Sequence, residues 1–400
     1  MKLQYKSFYW CLGTTSFRTK NFNKRIEQQL ALLRDFWSLK ENNGKIWSGN
    51  NEFQTAYYNF LHETGFIAGN VSNKPKDARE KTSGLVSLGL IDDGRKLTAV
   101  GEKLLDISER SAFFVNNLLG IPADSFIYLK QLLKTSVKLD TERVRPFLVT
   151  LYLLENLGGL SYDEFTYLLP LCVDRPSTIA MAENVRALRN GAIDIDGIIS
   201  ARLMSMDNYR DALKYFLRAQ IVTADVIATI GMNRKSRRYD KAYFPLYVAL
   251  HRIYLEHDTA AAKEILSALK FLSNTGRLWQ QYLFGKTVLA KLRKNPVVCL
   301  QPCDFDVADT EEKFRRKFFK VMHVIKAKRS LEDYFDLNRR YMKTADVILF
   351  ADERVTLDTV PRLSRRLPMD CLMLLLTNQY SCRKTVSLKI LPTSCTRMKV

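Results

Sequence analysis

Catalysis needs particular side chains at particular spacings, and this sequence offers few. Metal-assisted hydrolysis of a phosphodiester calls for two carboxylates around a divalent cation and a lysine that positions or activates water. The nearest string is Pro302-Cys303-Asp304 followed by Glu311-Glu312-Lys313. Its separation is short, and Glu311–Lys313 reads as the opening of a helix running into Phe314, Phe318 and Met322. His62, His251, His257 and His323 stand far apart and pair with no cysteine at zinc-like spacing. Cys299 and Cys303 are two ligands where a zinc site needs more. Gly13-Thr14-Thr15-Ser16-Phe17-Arg18-Thr19-Lys20 sets hydroxyls between cations but lacks the closing Lys-Ser/Thr of a phosphate-binding P-loop. There is no Gly-x-Ser-x-Gly elbow and no glycine-rich dinucleotide loop. Catalytic and metal-ligating residues therefore stay unassigned.

Binding chemistry is better represented. Met232-Asn233-Arg234-Lys235-Ser236-Arg237-Arg238-Tyr239-Asp240-Lys241 packs five basic residues into ten, with Asn and Ser donors between them. Such a stretch suits phosphate, because Arg and Lys release counterions and neutral donors fix register. A solvated loop has the same composition.

The elements that must carry these groups are mainly helices. Tyr243, Tyr247, Leu250 and Tyr254 recur at helical spacing, as do Phe126, Leu129, Leu132, Leu133 and Val137. Ser161-Tyr162-Asp163-Glu164 has capping-box form. Around residues 74–105, Pro75 fits a first helical turn. Ala78, Thr82, Leu85, Val86 and Gly89 then share one face, opposite Lys76, Arg79, Ser83 and Ser87. Leu90-Ile91 and Lys96-Leu97-Thr98 flank an Asp93-Gly94 turn, and Thr98 can cap a helix carrying Val100, Leu104 and Leu105. A second unit of this kind begins at Ser330-Leu331-Glu332-Asp333, with Asp336, Arg340 and Lys343 opposite an apolar face and Arg339 on the flank. Val347-Ile348-Leu349-Phe350, a turn at Ala351-Asp352-Glu353, and Arg354-Val355-Thr356-Leu357 complete it. A helix with a basic outer face followed by a hairpin is the layout of a winged helix, whose helix enters the major groove while the wing touches phosphate. An ordinary α+β corner has the same outline. The expected fold class is mainly α with small β-hairpins (α+β), with winged-helix-type DNA-recognition subdomains.

Charge agrees with a polyanionic partner. The 400 residues hold 62 Lys+Arg against 42 Asp+Glu, a formal net charge of +20. No run approaches the ~20 apolar residues of a membrane span, and the start is too short and charged for a secretory signal. Seven scattered cysteines fit free thiols in a reducing compartment, so a cytoplasmic location is expected. RNA binding through the basic clusters is a weaker reading, and a basic amphipathic membrane anchor is not evident.

Several strings carry a resemblance. Gly13-Thr14-Thr15-Ser16-Phe17-Arg18, Ala78-Arg79-Glu80-Lys81-Thr82-Ser83-Gly84-Leu85-Val86-Ser87-Leu88-Gly89-Leu90-Ile91 and Met232–Asp240 resemble the AlwI-type family of type IIS restriction endonucleases, which includes strand-nicking relatives. Leu129-Lys130-Gln131-Leu132-Leu133 and Leu154-Glu155-Asn156-Leu157-Gly158-Gly159-Leu160-Ser161 are similar to it as well. The likeness runs from about Phe8 to about Pro361. It implies a type II (IIS-like) enzyme that binds a short asymmetric double-stranded DNA site and cuts outside it with Mg²⁺. It also implies a cognate DNA methyltransferase in the same restriction-modification system, and a second cleavage subunit or a homodimer for double-strand cutting. This chain would mainly represent the recognition region. The alternative is a non-catalytic sequence-specific DNA-binding protein or a cleavage-defective recognition fragment.

On this view Arg79, Lys81 and Ser83 read bases, with Arg339, Arg340 and Lys343 as second candidates, since Arg bidentate to guanine is the commonest specific contact. Arg95 and Lys96 on the first wing, together with Arg18, Lys20, Arg234, Lys235, Arg237 and Arg238, hold phosphates. The expected organisation is a recognition subdomain over 1–125, a helical subdomain over 126–300, a second winged-helix-like unit over 301–361, and an atypical tail over 362–400. That tail has eight basic residues, one acidic residue and three cysteines, and without it the excess falls to +13. It reads as a basic arm or as a non-native terminus such as a shifted frame would give.

Overall fold

Short polar side chains set many of the helix starts in the computed structural model, which describes residues 3–14, 21–114, 119–140, 142–233 and 236–358. Asn50 accepts the Phe53 amide at 3.0 Å to open α2 (Asn51–Glu63). Asn73 accepts Lys76 N at 3.1 Å to open α3 (Lys74–Ser87), with Pro75 in its first turn as expected. Thr98 accepts Gly101 N at 3.2 Å to open α4 (Ala99–Glu109). Each bond satisfies one of the amides that a helix start leaves unpaired. These helices follow α1 (Phe22–Ser38).

Next come α5 (Ala123–Lys134), a hairpin of β1 (Val137–Leu139) and β2 (Glu142–Val144), α6 (Pro146–Leu157), β3 (Leu160–Ser161), α7 (Arg175–Arg189) and α8 (Ile195–Met204). Then follow α9 (Asp207–Arg218), α10 (Ala224–Gly231), α11 (Arg237–Lys241), α12 (Phe244–Leu255), α13 (Ala262–Phe271), α14 (Ser273–Phe284) and α15 (Leu289–Lys294). The described chain closes with α16 (Glu311–Lys343), β4 (Ile348–Ala351) and β5 (Arg354–Leu357). The protein is mainly helical with a few small antiparallel strands. Val137, expected to continue the α5 stripe, instead lies in β1, because α5 ends at Lys134.

Both hairpins foreseen in the sequence are present. In the first, Ile91 and Leu97 form a bridge, Asp92 N donates to Lys96 O at 2.9 Å, and Thr98 N donates to Leu90 O at 3.0 Å. In the second, Asp352 and Glu353 both adopt positive φ, 48° and 57°. That left-handed pair matches the twist of β4 and β5.

The helix of the second unit departs from expectation. It begins at Glu311, capped by Thr310, and runs 33 residues without a break at Ser330. Ser330 Oγ donates back to Lys326 O at 3.1 Å, a mid-helix bond in place of a cap. The expected recognition helix is thus the C-terminal part of a long helix whose Phe314, Phe318, Met322, Leu331, Leu337 and Tyr341 lie in the core. Its hairpin is not a free wing either, since β5 pairs with β4 on one edge and with β3 on the other.

A continuous apolar core runs from Phe8 to Val355. The N-terminal segment threads through it: Trp10 Nε1 donates to Cys172 O at 3.1 Å, and Leu12 N to Asn338 Oδ1 at 2.9 Å. No helix among the described residues is long and apolar enough to cross a membrane.

Candidate nucleic-acid interface

Helices α2 and α3 pack against each other, and their shared polar edge carries the first set of cations. Ala78, Thr82 and Leu85 turn α3 into the core, leaving Arg79 toward α2. The Arg79 guanidinium donates to Asn51 Oδ1 at 3.3 Å and closely to Gln54 Oε1. It therefore bridges α3 to the start of α2. Lys81 pairs with Asp77 at 3.4 Å one turn earlier, and Ser83 Oγ donates to Glu80 O at 2.8 Å.

Arg95 stands at the hairpin turn with φ 66°. Its side chain folds back over the protein, with Nε donating to Thr82 Oγ1 at 3.0 Å and the guanidinium 5.5 Å from the Trp47 ring. Its carbonyl oxygen accepts Trp37 Nε1 at 2.8 Å. Burial pushes the Arg95 pKa below the usual arginine range, and the Arg79 charge adds to that while Asp93 and Asp92 oppose it. Arg79 and Arg95 are thus close enough to feel one another. Lys96 is exposed, with its ammonium 5.1 Å from the Trp37 ring. The fold thus sets Arg95 beside Arg79 on α3, whereas Lys96 faces Trp37 of α1.

At the second unit Arg339 and Arg340 share one carboxylate, Asp336, at 2.7 and 2.6 Å. Burial alone would raise the Asp336 pKa, but the two guanidinium groups outweigh it and hold it below the usual range. Arg339 also lies over Phe335 at 5.9 Å. Lys343 is exposed at the helix end.

In the third cluster, Ser236 caps the short α11 by accepting Arg238 N at 3.2 Å. Arg237 donates to Thr229 Oγ1 at 2.8 Å, while Arg238 and Tyr239 point outward. Asp240, next in sequence, is 1% exposed and pairs with Lys326 of α16 at 2.6 Å. Arg18, Lys20, Arg234 and Lys235 lie outside the described residues, as does the 362–400 tail.

The carboxylates weighed for metal chemistry are committed elsewhere. Asp304 pairs with Lys320 at 3.0 Å, Glu312 with Arg316 at 2.7 Å, and Lys313 with Asp309 at 2.8 Å. Glu311 accepts from Tyr247 Oη at 3.0 Å and lies 2.7 Å from His251 Nε2. As expected, Glu311 opens a helix. A cleft of about 360 Å³ collects Asp194, Asp196, Asp304 and Lys320. There Asp194 caps α8 through Gly197 N at 2.6 Å and Asp196 pairs with Lys328 at 2.9 Å. Among the described residues no group of three or more His, Cys, Asp or Glu is placed to hold a metal ion.

A family model described as AlwI restriction endonuclease matches residues 86–367. The chain belongs to the AlwI restriction endonuclease family. Membership brings nuclease activity of the type II restriction class and DNA as the binding partner. No significant match was found among curated proteins. The family match takes in the first hairpin, the 232–241 cluster and both elements of the second unit, and it ends just past Pro361. Within this restriction endonuclease, the sequence pattern did not single out Asn51, Gln54 and Trp47, which touch Arg79 and Arg95. These contacts come from a helix and a loop that precede the two arginines in sequence.

Proposed function

We propose that the described part of this restriction endonuclease recognises a short asymmetric site in double-stranded DNA, in an enzyme that cuts outside that site with Mg²⁺. The observation that carries the reading is the Arg79–Arg95 pair, in which the hairpin arginine folds onto Thr82 of α3 close enough to feel the Arg79 charge. In this reading α1, α2, α3 and the 90–98 hairpin act as a winged helix, with α3 toward the major groove and Lys96 on a phosphate. Ser83 lies one turn on from Arg79 along the reading helix, and Lys81 contacts DNA from the helix flank. Arg339, Arg340 and Lys343 form a second contact region, and Arg237, Arg238, Arg234, Lys235, Arg18 and Lys20 neutralise phosphates. A cognate methyltransferase and a second cleaving subunit, or a homodimer, would complete the system.

Mg²⁺ does not fit the carboxylates weighed for it, since Asp304, Glu311 and Glu312 are held by Lys320, Arg315 and Arg316 and Asp194 and Asp196 by the α8 cap and Lys328, so no hydrolytic step is routed through them. That commitment favours a second reading, in which this polypeptide binds DNA without cutting it. The two separate on one gel. Plasmid incubated with pure protein and Mg²⁺ is expected to yield discrete nicks or fragments that EDTA prevents. Retained gel-shift binding with no cutting would leave the binding reading alone.

Base reading by Arg79 has its own signature. Arg79→Ala is expected to lower affinity for the cognate site by about 1–3 kcal/mol while sparing nonspecific duplex. Arg237→Ala is expected to weaken both equally and to lower the salt slope by about 0.9. Titration by fluorescence anisotropy over a salt series checks both, and equal losses for Arg79→Ala on the two duplexes would remove its reading role.

A further inference from the structure

The stretch 265–303 contains six basic residues and no acidic one. Lys270, Arg277, Lys286, Lys291, Arg293 and Lys294 are all exposed. Among the described residues none of the six is ion-paired, in contrast to Lys81, Arg339 and Arg340. Desolvated or carboxylate-bound cations must give up a partner before meeting phosphate, whereas free ones release counterions directly.

The scaffold beneath them is firm. Helices α13 and α14 pack together and bury Ile265, Leu269, Trp279 and Leu283. Their outer residues are Lys270, Asn274, Arg277 and Gln281, cations interleaved with amide donors. Beyond α14 the chain makes an excursion anchored at both ends: Gly285 N donates to Gln281 O at 2.9 Å, and Gln301 N returns to Leu283 O at 2.9 Å. Leu292 and Cys299 plug it into the core, which leaves Lys291, Arg293 and Lys294 of α15 outside.

We infer that α13–α15 form a second, sequence-independent DNA surface that grips the phosphate backbone away from the reading helix. The inference rests on the DNA-binding reading above and adds a site to it. Neutral amide donors among the cations favour nucleic acid over lipid, because they fix register on phosphates without adding charge. Exposed Phe271 and Val288 nearby make an anionic membrane the competing partner.

The test uses the whole chain carrying Lys291→Ala, Arg293→Ala and Lys294→Ala together. A control carries Lys103→Ala, Arg110→Ala and Arg186→Ala, which removes the same charge from cations that are already ion-paired. Affinity for cognate and nonspecific duplex is measured over a salt series. The α15 variant is expected to lose equally on both, with the salt slope falling by about 0.9 per contact removed. The control should keep the wild-type slope. An α15 variant that matches the control overturns the inference while leaving the DNA-binding reading intact. A wild-type chain that binds no duplex overturns the reading itself. Binding to phosphatidylserine vesicles that only the α15 variant loses, with DNA affinity unchanged, assigns the surface to lipid and likewise overturns the inference.

Discussion

Replacing Lys326 with methionine is expected to destabilise the protein by about 3–5 kcal/mol, the cost of stranding a buried charge. Asp240 is 1% exposed, and its Oδ1 lies 2.6 Å from Lys326 Nζ. Its Oδ2 has no hydrogen-bond partner among the described residues. Lys326 also donates to Gly231 O at 2.7 Å, so one ammonium closes the α10 end and holds the carboxylate. Methionine keeps the length of the stem and removes the charge, leaving the carboxylate in an apolar setting with no counter-ion. The double variant Asp240→Leu with Lys326→Met should recover most of the loss, because removing both charges also removes the desolvation penalty. Urea denaturation of the three variants decides this. A single variant within 1 kcal/mol of wild type would show that the pair is not buried in solution. The consequence reaches DNA, because Arg237 and Arg238 hang between the Ser236 cap and the Asp240 anchor. Lys326→Met should therefore also weaken nonspecific duplex binding.

This anchor marks the limit of what the sequence discloses. The 232–241 run is conspicuous for its cations, yet the residue that fixes it in place is its one acid. Nothing in the local pattern says that Asp240 turns inward to meet a lysine 86 residues away. Some caps and turns were legible because they are local: Thr or Ser ahead of a helix, or Asp-Gly between short apolar runs, act within four residues. Thr98, the 90–98 hairpin and the Ser161–Glu164 box all follow from such signals. A second helix start was expected at Ser330, inside α16, because Ser330-Leu331-Glu332-Asp333 has the composition of a helix start. A serine inside a helix can bond back to the preceding turn, and composition does not distinguish the two. Arg79 and Arg95 were found as cations but not as partners of Asn51, Gln54 and Trp47, contacts that depend on how α2 meets α3. The α13–α15 cations are harder to read for the opposite reason, being spread over three helices and a loop, with only the short run Lys291–Lys294 dense.

A second long-range pair shapes the C-terminal hairpin. Arg189→Leu is expected to cost about 2–4 kcal/mol, below the full price of a deeply buried pair because Arg189 is about one-third exposed. Its guanidinium forks onto Glu164 with both oxygens at 2.8 Å and also donates to Gly159 O at 2.7 Å and Leu157 O at 3.0 Å. Glu164 in turn accepts Ser161 N at 2.7 Å, fixing β3, the strand on which β5 is laid. Burial alone would raise the Glu164 pKa, but Arg189 and the Ser161 amide hold it below the ordinary glutamate value. A carboxyl depressed in the folded state contributes stability that is full above its unfolded pKa and fades as pH falls through the folded one. Without Arg189, burial acts unopposed and Glu164 is expected to take up its proton more readily, which relieves the stranded charge in acid. The gap between wild type and Arg189→Leu should therefore be widest near pH 7 and close as pH drops below the glutamate range. Urea midpoints measured from pH 7 to pH 3 give the comparison, and a gap that stays constant across that window would mean the fork is not what holds β3. Arg189→Lys, which keeps the charge but not the planar fork, should fall between the two.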